Sequence, residues 1–279
     1  MRIIEVSRVS EIVRDLLLKA NIKLPEDVKC ELNKAYNNET NQNAKFMLKQ
    51  IIDNSNIAIE NSWPMCQDTG MAVIFVDIGQ EASFTGGNLK ESINQGVRDA
   101  YKIGKFRNSV ADPLTRINTK DNTPAIIHFD IIPGNKVKIS VAPKGFGSEN
   151  MSRLYMLNPT DTKEDIVEIV KETVLNAGGK PCPPIILGIG IGGTVEKAAI
   201  LAKKSLLRDI NEASDREDVA ELENEILSEV NMLNVGAQGL GGLTTALAVN
   251  IETYPTHIAG LPVVINIQCH AARHLSEVI

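Results

Sequence analysis

The spacing of apolar residues divides this chain into a helical beginning and a mixed remainder. Apolar side chains recur at the spacing of one helix face in residues 9–20 and again in residues 43–53. From residue 71 onward, short apolar runs alternate with amphipathic stretches, a pattern typical of buried strands between helices. The sequence therefore predicts an α/β (α+β) fold, in which a helical N-terminal layer (1–60) precedes a mixed β-sheet with flanking helices (61–279).

The elements predicted after residue 60 alternate between strands and helices. Strands are predicted at 71–78, 125–132, 136–142, 185–191 and 262–267, and helices at 88–103, 162–177, 194–208 and 218–233. The turn residues Pro133, Gly134 and Asn135 join the second and third strands, so we expect these two strands to form a hairpin. A hairpin among otherwise interleaved strands makes the sheet mixed.

The charge and hydropathy of the chain exclude several classes of function. A formal net charge of −6 argues against a surface for nucleic acid. The first residues lack the apolar stretch of a secretion signal, and no run reaches the roughly 18 apolar residues of a membrane span. We therefore expect a cytoplasmic protein with reduced cysteines, and a pair of disulfides is the alternative.

Three of the four cysteines stand at positions that suit a metal centre. Cys66, Cys182 and Cys269 each lie beside glycine, proline or an abrupt change of pattern, so we expect each on a loop or at the end of an element. A buried apolar cysteine is the alternative for any one of them, and the lack of a C-x-x-C pair disfavours a zinc site or a ferredoxin-type carrier. Three thiolates from distant loops suit a four-iron cluster whose remaining iron is open and acts as a Lewis acid. Cys30 stands in a plain helical pattern and is not a candidate ligand.

Polar residues beside the first cysteine strengthen this interpretation. Cys66 is followed at once by the amide of Gln67 and the carboxylate of Asp68, and Gly70 lets the chain turn into the next strand. The glycine-containing segment 144–150 follows another predicted strand, and its backbone N–H groups could hold an anionic oxygen. An ordinary strand-to-helix turn is the alternative for that segment.

Two other functions compete with a metal-dependent one. Residues 188–193 match the G-x-G-x-x-G pattern of dinucleotide-binding proteins. That fingerprint requires a second strand ending in an acidic residue, whereas residues 218–233 continue as a helix, so we expect these glycines to allow close backbone packing near Cys182. A non-catalytic scaffold subunit is the other alternative, against which the Gln67–Asp68 pair counts.

Five sequence words, taken in order, resemble those of the class I fumarase and tartrate dehydratase group of iron–sulfur hydro-lyases, specifically their alpha subunit or N-terminal region. The words cover most of the chain after residue 60. They are Cys66-Gln67-Asp68-Thr69-Gly70; Asn118-Thr119 with Asp121-Asn122-Thr123-Pro124-Ala125; Lys144-Gly145-Phe146-Gly147-Ser148-Glu149-Asn150; Pro181-Cys182-Pro183-Pro184; and Tyr254-Pro255-Thr256-His257-Ile258-Ala259 leading to Cys269.

The resemblance implies roles for the candidate site residues. It implies that Cys66, Cys182 and Cys269 ligate a 4Fe–4S cluster with one open iron. It also implies that Gln67 and Asp68 face the substrate, with Asp68 in proton transfer or in orienting the hydroxyl.

Further roles carry over to residues outside the cysteine words. His257 is implied as an active-site residue hydrogen-bonded to a carboxylate. Arg107 aligns with a substrate-carboxylate arginine, although Arg116 lies close enough in sequence to be confused with it. Gly147 is the best candidate for a backbone contact with the substrate. The residues after Cys269 are expected to form a solvated or subunit-facing tail.

The resemblance also implies an activity and a partner. The expected reaction is the reversible dehydration of a small dicarboxylate, (S)-malate to fumarate and water, and L(+)-tartrate dehydration is the alternative. We expect residues 1–279 to form a single catalytic domain. Because relatives that are single chains continue beyond the third cysteine, a beta subunit would supply the second catalytic domain, in a dimer of alpha–beta pairs without nucleic acid or membrane partners.

Overall fold

A computed structural model describes residues 2–279 and confirms the predicted fold class. The helices are α1 (Val6–Ile22), α2 (Glu26–Asn38), α3 (Gln42–Asn61), α4 (Leu89–Ile103), α5 (Phe146–Glu149), α6 (Lys163–Ala177), α7 (Val195–Ser205) and α8 (Glu217–Met232). The strands are β1 (Arg2–Glu5), β2 (Met71–Gly79), β3 (Ala82–Thr85), β4 (Ile126–Ile132), β5 (Val137–Lys144), β6 (Arg153–Leu157), β7 (Ile185–Gly192), β8 (Ala246–Tyr254), β9 (Leu261–Gln268) and β10 (Leu275–Val278). None of the helices in this part of the chain is long and apolar enough to cross a membrane.

The chain folds as two compact units. Unit 1 comprises the chain through Pro25, Ser55–Gly145 and Arg273–Ile279. Unit 2 comprises Glu26–Asn54 and Phe146–Ala272. A single catalytic domain over residues 1–279 stays a prediction.

Unit 1 is built on a four-stranded mixed sheet in the order β10-β5-β2-β4. Strand β2 pairs in parallel with β4 and antiparallel with β5, and β10 pairs antiparallel with β5. Helices α1 and α4 contribute apolar side chains to the same core as this sheet, as their helical spacing predicts. Helix α4 begins after Asn88, whose side chain accepts a hydrogen bond from the Glu91 N–H, and Gly104 follows its last residue.

The predicted hairpin between the second and third strands is wrong. Strand β2 lies between β4 and β5, so the connection at residues 133–136 passes over the end of β2 instead of making a tight turn. The Gly79 N–H donates to the Lys136 carbonyl oxygen over 2.8 Å, and the Glu81 N–H donates to that of Gly134 over 3.0 Å. A Cβ atom at Gly79 would lie 2.5 Å from the Gly134 oxygen, so only glycine permits this crossing. The sheet is mixed because β2 pairs in parallel with β4 and antiparallel with β5, and not because β4 and β5 form a hairpin.

Unit 2 contains a second four-stranded mixed sheet in the order β6-β9-β7-β8. Helices α6 and α8 pack their apolar side chains against one face of it. Helix α7 contacts the other face, where Ala198 and Ala202 meet Val264. The predicted helices at 162–177 and 218–233 therefore cover the same side of one sheet.

The glycines of the G-x-G-x-x-G pattern lie mainly within strand β7. A Cβ atom at Gly188 would lie 2.3 Å from the Ala202 carbonyl oxygen, and one at Gly190 would lie 2.0 Å from that of Ala198. Both glycines therefore let α7 approach the strand closely, as the sequence predicts, although the packing partner is α7 and not the segment near Cys182. In a dinucleotide-binding protein these glycines would form the turn after the strand.

The C-terminal residues form part of unit 1. Strand β10 pairs with β5 from Leu275↔Val141 to Val278↔Lys138. The Arg273 side chain, which precedes this strand, is buried. The expectation of a solvated or subunit-facing tail is therefore wrong for Arg273.

Candidate functional site

The three candidate cysteine ligands lie on loops or at element ends, as predicted. Cys66 lies between α3 and β2 in unit 1. Cys182 lies between α6 and β7, and Cys269 directly follows β9, both in unit 2. Cys30 is exposed on α2. Across residues 2–279 none of the four cysteines forms a disulfide, and no three His, Cys, Asp or Glu side chains form a group that could hold one metal ion.

The turn that follows Cys66 is held by buried donors from distant parts of unit 1. Nη1 of Arg273 donates to the Asp68 carbonyl oxygen over 2.8 Å. The Tyr101 hydroxyl lies 2.9 Å from the carbonyl oxygen of Thr69 and 2.7 Å from that of Gly70. Three successive carbonyl groups are therefore bound by side chains, so the backbone at Asp68 is fixed from several directions.

The Tyr101 hydroxyl can serve only as a neutral donor in this position. Burial raises its pKa well above the ordinary value, and although the nearby Arg273 cation opposes the rise, the Asp68 carboxylate adds to it. The proton therefore stays on the hydroxyl at neutral pH. The carbonyl oxygens of Thr69 and Gly70 share that single donor.

Thr69 joins the Asp68 turn to Arg107. Its hydroxyl donates to the Arg107 carbonyl oxygen over 3.2 Å and accepts from the Arg107 N–H over 3.1 Å. The Arg107 side chain is exposed, while its backbone is fixed by this pair of bonds. Arg116 is also exposed, but its N–H donates to the Asp112 carbonyl oxygen within the loop. The structure therefore connects Arg107, and not Arg116, to the turn that carries Asp68.

A fully buried asparagine completes this arrangement. Nδ2 of Asn122 donates to the Gly70 carbonyl oxygen over 3.2 Å. Its Oδ1 accepts from the N–H groups of Ser109 over 2.7 Å and Val110 over 3.3 Å. Asn122 has a φ of 58°, a left-handed conformation that asparagine tolerates better than most residues. It therefore ties the loop after Arg107 to the same turn.

The two polar neighbours of Cys66 differ in exposure. The Gln67 side chain is exposed, whereas Asp68 is half-buried. Oδ1 of Asp68 accepts from the Gly70 N–H over 3.1 Å, which closes a local turn. A Cβ atom at Gly145 would lie 3.3 Å from both Oδ2 of Asp68 and Nη2 of Arg273. The other carboxylate oxygen therefore faces the Gly145 backbone.

In unit 2, His270 joins the segments that carry the other two cysteines. Nδ1 of His270 lies 2.8 Å from the Cys182 carbonyl oxygen. Because a carbonyl oxygen can only accept, Nδ1 carries a proton in this contact. The carbonyl oxygen of Pro183, the residue after Cys182, accepts two hydrogen bonds from Gln238. The backbone N–H of Gln238 donates over 2.9 Å and its side-chain amide donates over 2.8 Å. These contacts fix the backbone around Cys182 relative to the residue after Cys269.

Gly147 lies in the short helix α5, which follows strand β5 within the glycine-containing segment 144–150. Gly147 is exposed, and the next residues form a network with β9. Glu149 pairs with Lys203 and accepts from Nδ2 of Asn266 over 2.9 Å. The same Asn266 nitrogen donates to the Ser152 hydroxyl over 2.8 Å. The glycine-containing segment is therefore anchored to the strand that delivers Cys269.

His257 is an exposed residue of unit 2 with a local partner. Its Nδ1 accepts from the Ala259 N–H over 3.2 Å. The predicted carboxylate partner is not found among its hydrogen bonds to residues 2–279. Because Nδ1 accepts, the neutral ring carries its proton on Nε2, which is then the nitrogen that can meet a substrate.

Comparison with known proteins decides the family. The sequence model of the fumarate hydratase (Fumerase) family matches residues 10–278. This chain belongs to that family. It is also 47% identical over 272 residues to the putative L(+)-tartrate dehydratase subunit alpha of Methanocaldococcus jannaschii, covering 95% of each chain. It is 31% identical to the L(+)-tartrate dehydratase subunit alpha of Escherichia coli strain K12, covering 96% of this chain and 89% of that one. We assign it as an alpha-subunit-type member of this hydro-lyase family.

The donor set of this family member fits an iron–sulfur cluster. Thiolates are the ligands that such clusters use, and all three candidate cysteines are at least partly exposed on loops or element ends. The backbone of the two cysteine segments in unit 2 is fixed by His270 and Gln238. Outer contacts of this kind commonly orient metal ligands.

Sequence reasoning missed the residues that hold the site in place. Tyr101, Gln238 and His270 received no role from the sequence, and Asn122 appeared only as part of a matching word. Asn122 could have been suspected, because a polar residue between Asp121 and Thr123 in a family word is a candidate for a buried hydrogen-bonding role. The others act through contacts that no local pattern reveals.

Proposed function

We propose that this chain is the alpha subunit of a two-subunit iron–sulfur hydro-lyase that dehydrates a hydroxy-dicarboxylate. The observation that carries the proposal is the fixed turn after Cys66, in which Asp68 is held by buried donors and Thr69 bonds to Arg107. The names of the relatives favour L(+)-tartrate, the alternative substrate, over malate. The family description keeps (S)-malate as the second candidate.

Cys66, Cys182 and Cys269 would hold a 4Fe–4S cluster with one open iron. Their soft thiolate donors match what such a cluster requires. When bound, the cluster supplies Lewis-acid polarisation of the hydroxyl that leaves.

The residues of this chain would bind and orient the substrate. The Arg107 guanidinium matches a carboxylate in a two-pronged hydrogen bond, and its fixed backbone limits where that fork can point. The exposed Gln67 amide can bind a hydroxyl or carboxylate oxygen. The backbone at Gly147 is the third candidate for substrate contact.

Proton handling would fall to Asp68 and His257. Dehydration removes a proton from the carbon next to the one that loses its hydroxyl, and the two leave as water. L(+)-Tartrate gives an enol that rearranges to a keto acid, while (S)-malate gives fumarate. Asp68 can exchange a proton through its carboxylate. His257 can do so through Nε2.

The proposal extends to the assembly. The relatives are described as alpha subunits, which supports a beta subunit as the partner. In this proposal the beta subunit would bring the second catalytic domain, and two alpha–beta pairs would form a dimer. Residues 1–279 would act as a single catalytic domain. The four cysteines are free thiols, which is consistent with the proposed cytoplasmic location.

A substrate panel on the two-chain complex tests the function. The complex is reconstituted anaerobically with iron and sulfide and offered L(+)-tartrate, (S)-malate and methylated analogues. We expect keto-acid formation from L(+)-tartrate, and faster turnover of (S)-malate would favour the second candidate. Turnover of none of these compounds would contradict the proposal.

Two further measurements separate the rival functions. Asp68→Asn is expected to lower kcat by about 100-fold or more, as loss of an acid–base group does. Unchanged turnover in Asp68→Asn would make this chain a scaffold. A titration with NAD is expected to show no binding, because the β7 glycines pack against α7.

A further inference from the structure

We propose that Arg273 is a positioning residue for Asp68. The inference rests on the proposed function for its link to turnover, but its structural part stands on contacts within unit 1. Arg273 follows Cys269 by four positions in the sequence, and its side chain is only 3% exposed. No family word and no predicted element includes it.

The contacts of Arg273 converge on the turn that carries Asp68. Nη1 donates to the Asp68 carbonyl oxygen over 2.8 Å and to Oδ1 of Asn21 over 3.0 Å. Asn21 is itself fully buried at the end of α1, and its carbonyl oxygen accepts from the Met65 N–H over 2.9 Å. One nitrogen of the guanidinium therefore bridges Asn21 at the end of α1 and the Asp68 backbone. Because Asn21 also binds Met65, the chain is held both before and after Cys66.

The same guanidinium also lies beside the carboxylate of Asp68. A Cβ atom at Gly145 would lie 3.3 Å from both Nη2 of Arg273 and Oδ2 of Asp68. Both groups are also close enough to Tyr101 to act on its pKa in opposite directions. Arg273 therefore sets the position of the Asp68 backbone and faces the region where the carboxylate lies.

Arg273 is poorly explained as a purely stabilising residue. Its Nε is buried and has no hydrogen-bond partner among residues 2–279. Burying a charged group with an unsatisfied donor is costly, and apolar residues of similar size often stabilise such positions better. A costly cation beside a candidate proton-transfer group is instead typical of a residue kept for the geometry of a site.

Lysine cannot reproduce the arrangement, because an ammonium group is a compact point charge without the planar fork of arginine. A glutamine at this position lacks both the planar fork and the positive charge of arginine. A small displacement of a group that must meet the substrate lowers turnover far more than binding. Arg273 does not contact the substrate in this proposal, so its replacement should lower kcat while leaving KM nearly unchanged.

The test compares Arg273→Gln, Arg273→Lys and the control Arg14→Gln in the anaerobically reconstituted two-chain complex. Arg14 pairs with Asp15 on the outside of α1 and makes no contact with the turn. Arg273→Gln should lower kcat roughly 10- to 100-fold with KM within about threefold of wild type, and Arg273→Lys should recover part of the loss. Arg14→Gln should match wild type. Iron and sulfide content should be unchanged in all three variants.

Hydrogen exchange gives a measurement that does not depend on turnover. Amides of the peptide spanning residues 66–70 should exchange about fivefold to tenfold faster in Arg273→Gln, because the turn loses one of its anchoring bonds. Peptides of unit 2 should not change. If the wild-type complex turns over no substrate, the proposed function fails, while faster exchange at residues 66–70 alone still supports the positioning role.

Two results would overturn the inference. One is wild-type kcat and wild-type exchange at residues 66–70 in Arg273→Gln. The other is a lower melting temperature with unchanged kcat per loaded cluster, which would make Arg273 only structural. Should Arg273→Gln fail to fold, Asn21→Ala removes the second partner of Nη1. That variant should lower kcat by about threefold to tenfold with faster exchange at residues 66–70, and wild-type values there would equally refute the proposal.

Discussion

Thr69 illustrates how single residues of this chain fix a site without touching a substrate. Its hydroxyl makes two hydrogen bonds to the Arg107 backbone, while its carbonyl group accepts from Tyr101. The side chain is nearly fully buried, so water cannot replace either bond. The relative position of Asp68 and Arg107 therefore depends on one small residue between Asp68 and Gly70.

Replacing Asn122 with alanine should destabilise the protein strongly. The change leaves the Ser109 N–H without its partner, removes one of the two donors to the Gly70 carbonyl oxygen, and places alanine at a positive φ. We expect a loss of about 2–4 kcal/mol in the free energy of unfolding, measured by urea denaturation. Asn43→Ala, at an exposed position of α3, is the matched control and should change the value by less than about 0.5 kcal/mol. Equal effects of the two changes would contradict this description.

Tyr101→Phe should reveal the raised pKa of the buried hydroxyl. Below pH about 9 the variant should be less stable by about 1–3 kcal/mol, because the Thr69 carbonyl oxygen loses the Tyr101 donor and the Gly70 carbonyl oxygen keeps only Asn122. The unfolded chain ionises Tyr101 near pH 10 while the folded chain keeps it neutral, so wild type loses up to about 1.4 kcal/mol per pH unit above that point. The stability difference should therefore shrink as the pH rises. A difference that stays constant to pH about 11 would contradict the buried, neutral hydroxyl.

At the scale of elements, strand β7 and helix α7 explain the most conspicuous glycine pattern of the sequence. Gly188 and Gly190 face α7 at distances that exclude any side chain. The glycine pattern that suggested a dinucleotide site is therefore explained by the close packing of α7 on β7. The glycine pattern was read correctly from the sequence, but it is compatible both with a dinucleotide-binding turn and with close helix packing. The turn residues at 133–135 are a second such case, because they are compatible both with a hairpin and with a connection that crosses the end of a strand.

Gly190→Ala should disrupt the packing of α7 on the sheet. The added methyl group would lie 2.0 Å from the Ala198 carbonyl oxygen, so backbone must move. We expect a loss of about 1–3 kcal/mol or more in the free energy of unfolding. Gly260→Ala is the control, because nothing lies within 4 Å of its added Cβ and its φ is not positive. If both changes were tolerated equally in thermal melts, the close approach of α7 to β7 would be wrong.

Most longer elements were predictable because their pattern and caps are local. Helices α1, α4, α6 and α8 and strands β2, β7 and β9 match the prediction. Strands β1, β3 and β10 have four residues each, too few to carry a recognisable alternation. The separation of β4 from β5 could not be predicted, because consecutive strands are neighbours only in most cases, and here β2 lies between them.

The site was predictable only in part, for a similar reason. Cys66, Gln67 and Asp68 stand together in the sequence, so their chemistry is visible there. The residues that hold them are far away along the chain: Tyr101 lies 31 residues from Gly70, and Arg273 lies 205 residues from Asp68. Only the folded chain shows which distant polar residues are buried against the turn.

At the scale of the whole molecule, the candidate residues are distributed over both compact units. Unit 1 carries Cys66, Asp68 and Arg107, while unit 2 carries Cys182 and Cys269. Each group is held by polar contacts within its own unit. The proposed activity also requires a second chain.

The isolated chain should therefore be inactive. We expect turnover of L(+)-tartrate only after anaerobic reconstitution together with the proposed beta subunit, because the proposed open iron would be lost to oxygen and the beta subunit would supply further substrate-binding groups. The measurement compares the alpha chain alone, the reconstituted pair and the metal-free pair. Robust turnover by the alpha chain alone or by the metal-free pair would contradict the proposal.

The most direct test of the central claim is iron and sulfide content after anaerobic reconstitution of wild type and of four single cysteine-to-serine variants. Cys66→Ser, Cys182→Ser and Cys269→Ser should each lose most of the bound iron, together with the electron paramagnetic resonance signal of the reduced cluster, because each removes one of three thiolate ligands. Cys30→Ser, exposed on α2, should load like wild type. Normal loading in any of the first three variants, or loss of the cluster in Cys30→Ser, would contradict the account.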